Sequence, residues 1–101
     1  MPLRPGQRLK SSTCETEVVV VRAPAGDVDV RCGGAPMVPL DEDVPRASVA
    51  AGFDDGTLLG KRYASEEEGL ELLCTKPGAG SLSLGTTTLP RKDAKPLPSS
   101  D

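Results

Sequence analysis

Four consecutive valines, Val18 to Val21, constrain this chain more than any other feature. β-Branched side chains are stiff at χ1, crowd a helix and suit a pleated surface. A continuous apolar run also asks for burial on both faces, or for one face in a core and the other at an interface. Residues 15–22 are therefore predicted as a strand. Ala23-Pro24-Ala25-Gly26-Asp27 follows as a turn, because proline fixes φ and glycine admits positive φ. Asp27 to Cys32 then alternates strictly, with Val28, Val30 and Cys32 on one face. The two runs read as a β-hairpin closed by a loop of about five residues.

The rest of the chain extends this pattern. Residues 1–13 read as an extended lead-in: Pro2 and Pro5 oppose an early helix, and Leu9 can begin a short strand. Residues 38–56 are acidic and poor in large apolar side chains. They read as a loop, or as a short helix capped by Asp43, with Pro45 just inside and Gly52 at its end. Residues 57–64 and 70–75 form a second predicted hairpin around Ser65–Gly69, with Leu70, Leu72 and Cys74 on one face. Lys76–Gly80 is a turn, and its Gly78-x-Gly80 is only a fragment of a phosphate-loop signature. Ser81–Gly85 alternates as a strand, and Thr86–Leu89 extends the meander. Residues 90–101 are a Pro-rich extended tail.

A small all-β domain over residues 14–89 follows, with two hairpins packed face to face and residues 1–13 and 90–101 as extended arms. Its core must come from valine and leucine, since Phe53 and Tyr63 are the only aromatics and there is no Ile. A core of that kind is marginal without a metal, a crosslink or another subunit, so a protein partner or a homo-oligomer is expected. The net charge is −3, and residues 41–80 carry nine acidic against four basic residues. No basic stripe is present to neutralise phosphates, so a nucleic-acid partner is not expected. No apolar run nears the ~18 residues of a membrane span. The first residues lack the apolar stretch of a secretory signal, and three cysteines are an odd count for a disulfide framework. A cytoplasmic location with reduced or metal-bound thiols is expected.

The thiols are the main candidates for chemistry. Cys14, Cys32 and Cys74 all share strand parity with apolar neighbours, so all three should point inward. Convergence of the three on one Zn or Fe ion is one reading, because tetrahedral thiolate sites suit either metal. The fourth ligand would be Glu17, Asp29, a water or a group from a partner. Burial as small hydrophobes is a second reading, and a redox pair a third. A nucleophilic-cysteine enzyme is not expected. There is no His to act as base, and Glu15 and Glu17 should disfavour a Cys14 thiolate. Cys32 beside Arg31 and Cys74 near Lys76 look better placed for ionisation. No catalytic residues, no bound organic cofactor and no small-molecule substrate are predicted.

Cys14-Glu15-Thr16-Glu17, the valine-rich strand, the Gly-containing turn, the second strand and Cys32-Gly33-Gly34-Ala35-Pro36-Met37 together resemble the desulforedoxin and rubredoxin-like family. That family includes the small N-terminal domain of some superoxide reductases. The resemblance spans Cys14–Met37, about a quarter of the chain. It implies a rubredoxin-like or zinc-ribbon-like fold in which Cys14 and Cys32 are retained metal ligands. Glu17 and Gly33 stand where the family has its other two cysteines. The implied function is a small accessory protein or subunit of a larger enzyme, itself not an enzyme, whose thiolate Zn or Fe site is structural or electron-transferring. The alternative is a metal-free interaction module working through oligomerisation or partner binding.

Overall fold

The computed structural model describes residues 3–24, 26–65 and 67–91. These residues form nine strands and no helix. The strands are β1 (Arg8–Lys10), β2 (Glu17–Arg22), β3 (Val30–Cys32), β4 (Ala35–Pro36), β5 (Val38–Pro39), β6 (Arg62–Ser65), β7 (Leu70–Lys76), β8 (Leu82–Leu84) and β9 (Thr87–Thr88). They make two antiparallel sheets, one in the order β5-β1-β2-β7-β6 and one in the order β4-β3-β8-β9. The all-β expectation holds. No helix here is long and apolar enough to cross a membrane.

The first predicted hairpin is not formed. β2 and β3 lie in different sheets. The reason is the quality of the available partners. β7 offers seven residues with an apolar face, and it sets Val18 opposite Cys74 and Val20 opposite Leu72. β3 offers only three residues, and these pair with β8, Val30 opposite Leu84. Side-chain packing across strands decides such pairings more than proximity in sequence does. The second predicted hairpin does form, with Tyr63 opposite Leu72 and Ser65 opposite Leu70.

Both sheets feed one core. Leu9, Val18, Val20, Leu70 and Leu72 enter it from the larger sheet, and Val30, Cys32 and Leu82 from the smaller. Each fully buried Val or Leu side chain contributes roughly 1.5–3 kcal/mol. Only one face of the valine run is covered, since Val18 and Val20 are buried while Val21 is exposed. The lead-in belongs to the domain body: β1 lies between β5 and β2, and Leu3 and Leu9 are core residues. At the other end the Ala64 N–H donates to Pro90 O, and Arg91 bridges to Tyr63. The remainder of the Pro-rich tail, residues 92–101, lies outside the described residues.

The segment read as either a loop or a short helix takes a definite form. Residues 43–52 are irregular rather than helical. The Ala47 N–H donates to Ser12 O and the Ala50 N–H to Gly33 O, which lays this segment across the cysteine-bearing loops. Gly33 and Gly34, with φ of 67° and 86°, form the two-residue turn that joins Cys32 to its register partner Ala35. Paired positive φ angles match the right-handed twist of the strands they connect.

Candidate functional site

Three backbone segments meet around two sulfurs. The first is the loop 11–16 between β1 and β2, closed by a hydrogen bond from the Ser11 N–H to Thr16 O. The second is the end of β3 with its Gly33–Gly34 turn. The third is the loop 77–80 between β7 and β8. Cys14 Sγ and Cys32 Sγ stand 3.8 Å apart where the three join. Cys14 is 8% exposed and Cys32 fully buried. All three cysteines are free, buried thiols; Cys32 and Cys74 face inward as their strand parity predicts, whereas Cys14 lies in the loop before β2 and not in a strand.

Cys14 is ringed by hydrogen-bonding groups. Thr16 Oγ1 lies 3.2 Å from its sulfur and Ser11 Oγ 3.4 Å. The Gly80 N–H donates to it from 3.3 Å. As a thiol Cys14 can donate to one hydroxyl; as a thiolate it can accept from both. Burial pushes the Cys14 thiol up, but the Ser11 hydroxyl, the Thr16 hydroxyl and the Thr16 and Gly80 N–H groups outweigh it. Its pKa is brought down to about 6. Burial acts with less opposition on Cys32, where the neighbouring Cys14 charge adds to it, and the thiol rises to about 11. Cys74 is also raised, by burial first and the Cys14 charge as well. Two adjacent thiols thus have their ionisation pushed in opposite directions.

This reverses the order of acidity read from sequence neighbours. Glu15 does sit beside Cys14, but Arg46 at 2.9 Å and Lys76 at 3.3 Å pair with its carboxylate. Those partners hold the Glu15 carboxyl below its usual range and offset its charge. Arg31 does not serve Cys32. It pairs with Asp29 at 2.8 Å and donates to Gly34 O at 3.2 Å. Nor does Gly33 offer its N–H to sulfur, since it donates to Ser81 O. The donor comes instead from Gly80, 66 residues from Cys14 along the chain.

The glycines of loop 77–80 are required by close approach. A β-carbon on Gly78 would lie 2.6 Å from the Thr16 nitrogen and 3.0 Å from Cys14 Sγ. One on Gly80 would lie 2.9 Å from the Gly33 α-carbon and 3.1 Å from Cys32 Sγ. Thr57 fastens the loop: its N–H donates to Gly78 O, and its hydroxyl to Gly80 O. The Gly78-x-Gly80 fragment therefore serves as a cover over thiols.

Of the four residues expected to hold a metal, the structure brings Cys14 and Cys32 together. The Cys74 thiol donates to Lys76 O at 3.2 Å. Glu17 opens β2, half-buried, with Lys76 as its register partner. Asp29 is paired with Arg31. Gly33 fills the position of a family cysteine, and a β-carbon there would meet the Thr13 side chain. Among the described residues no three of His, Cys, Asp or Glu are grouped to hold a metal ion. A four-thiolate site of the rubredoxin type does not fit these residues. The serine and threonine hydroxyls around Cys14 were not singled out from sequence. Their only signal is the polar run Ser11-Ser12-Thr13-Cys14-Glu15-Thr16. In comparisons with family models, curated proteins and solved structures, nothing matches this chain.

Proposed function

We propose that this chain is a small accessory module whose working group is the Cys14–Cys32 thiol pair, which closes and reopens a disulfide between its two sheets. The observation that carries this is the 3.8 Å contact between the sulfurs, with hydroxyl and N–H groups gathered on one of them. Cys14 lies in the loop leading into β2 of the larger sheet, and Cys32 ends β3 of the smaller. A bond between them fastens the sheets at one end. Side-chain rotation and small backbone shifts suffice to bring contacting sulfurs to the S–S bond length of about 2.0 Å. The module is a stoichiometric switch rather than an enzyme of many turnovers, and its output is a change in how the sheets are held, read by a protein partner. Reversible pairs of this kind suit a reducing compartment, where cytosolic disulfides are transient.

The test is a non-reducing peptide map after oxidation by peroxide, glutathione disulfide or ferricyanide in turn. A Cys14–Cys32 link, lost again on reduction, is expected with at least one of the three. Failure of all three oxidants to join these residues removes the reading.

A thiolate metal site is the second reading, favoured by the same separation. Two thiolates on a tetrahedral zinc, with bonds of about 2.3 Å, stand about 3.8 Å apart. Cys14 and Cys32 would supply two ligands, and a partner or water the rest. Zinc added to the chelator-treated protein would then protect both cysteines from alkylation.

A further inference from the structure

We infer that the oxidant this site takes is a small hydroperoxide, with Cys14 as the attacking sulfur and Cys32 as the sulfur that resolves it. This rests on the disulfide reading above and names its substrate class. Size is the first ground. The Gly78–Gly80 backbone lies against both sulfurs on one side, with no space there for a β-carbon on either glycine. Cys32 is fully buried and Cys14 retains only 8% of its surface. Thiol–disulfide exchange requires near in-line approach of a disulfide with its substituents, and its rate depends on access. A hydroperoxide presents only two oxygens to the sulfur.

The donors are the second ground. The Ser11 and Thr16 hydroxyls and the Gly80 N–H converge on Cys14 Sγ. Donors gathered around the attacking sulfur are suited to stabilise the charge that develops as the O–O bond breaks. Cys32 has its sulfur at the right place for the second step; the Ser11 and Thr16 hydroxyls bear on it too, but the Gly80 N–H is given to Cys14.

The chemistry balances with the two thiols as reductant. The Cys14 thiolate attacks the distal oxygen of ROOH, and the O–O bond breaks. RO⁻ leaves, takes a proton and departs as ROH, while Cys14 becomes a sulfenic acid. Cys32 Sγ then attacks Cys14 Sγ and loses its proton. The hydroxide leaves with that proton as water, and the S–S bond forms. Two thiols have lost two electrons, and one peroxide has become an alcohol and a water. For hydrogen peroxide, both products are water.

The experiment uses the full chain, reduced and chelator-treated, with one equivalent of hydrogen peroxide or an excess of glutathione disulfide under nitrogen. Peroxide should lower the titratable thiols from the three of the reduced chain to one and join Cys14 to Cys32. In Cys32→Ser, peroxide should add the mass of one oxygen atom, placed on Cys14 by peptide mapping. Glutathione disulfide should leave three free thiols and add no glutathione mass over the same period. If glutathione disulfide joins the pair and peroxide does not, the substrate class is wrong and the disulfide reading stands. If the added oxygen is on Cys74 or is absent, the assignment of Cys14 is wrong. If no oxidant joins the pair in the wild-type chain, both readings fall together.

Discussion

Gly80 faces Cys32 so closely that a β-carbon on it would come within 3.1 Å of Cys32 Sγ and 2.8 Å of the Gly33 nitrogen. The backbone neighbour cannot give way, because the Gly33 N–H is committed to Ser81 O. Gly80→Ala should therefore lift the cover and lower stability by roughly 1–3 kcal/mol, the usual range for overpacking. The Gly80 N–H would also move away from Cys14. Urea unfolding and the alkylation rate of Cys14 check the two effects: the first midpoint should fall and the second rate should change in the same variant. A Gly80→Ala protein with both values unchanged would show that the cover is not closed in solution.

Alkylation of the reduced protein should separate the three thiols by pH. Cys14, lowered to about 6, should react with iodoacetamide with a midpoint near that value. Cys32, raised to about 11, and Cys74, raised as well, should stay unlabelled near neutrality. Stability should follow with opposite signs. The Cys14 contribution is present above the ordinary thiol pKa and is lost as pH falls through about 6. The Cys32 contribution is present below the ordinary value and is lost as pH rises toward about 11. Urea midpoints of the reduced chain should rise between about pH 6 and 9 and fall above that. A midpoint that falls across the first interval would contradict the assignment of Cys14.

Thr16 tests the origin of that acidity. Its hydroxyl is 3.2 Å from Cys14 Sγ, and Thr16 is fully buried. Thr16→Val keeps the shape and removes the donor. The alkylation midpoint of Cys14 should move upward, and Ser11→Ala should move it in the same direction. Ser11 Oγ also accepts the Thr13 and Cys14 N–H groups, so its loss should cost more stability than that of Thr16. Equal midpoints in wild type and Thr16→Val would leave the lowered pKa without its proposed cause.

What could be read in the sequence was local. Alternation at Leu70, Leu72 and Cys74 and the β-branched run at Val18–Val21 marked strands, because side-chain direction is fixed by period two. The inward aim of Cys32 and Cys74 followed from the same parity, while Cys14 sits in a loop that parity does not govern. Pairing between distant strands was not readable. β2 adjoins β7 across some fifty residues of sequence, and the nearer β3 was taken by β8. The site suffered most from this. Three of its determinants, the Gly80 donor, the Thr57 clasp and the Arg46 partner of Glu15, come from beyond the Cys14–Met37 stretch. Their chemistry lies in tertiary contacts that no spacing announces.

Closing the disulfide should change the stability of the whole domain. Cys14 and Cys32 are 18 residues apart, and crosslinking a loop of that size is worth about 3 kcal/mol through the unfolded state. Strain in the native state subtracts from this, and a 3.8 Å starting separation keeps the required movement small. The oxidised chain should thus unfold at a higher urea concentration than the reduced chain at the same pH. Cys74→Ser should retain the difference between the two states, since Cys74 takes no part in the bond. Cys14→Ser should abolish it while leaving a protein that can be compared with the reduced wild type. A gain that survives in Cys14→Ser would place the crosslink between other thiols and remove the sheet-fastening role assigned to this pair.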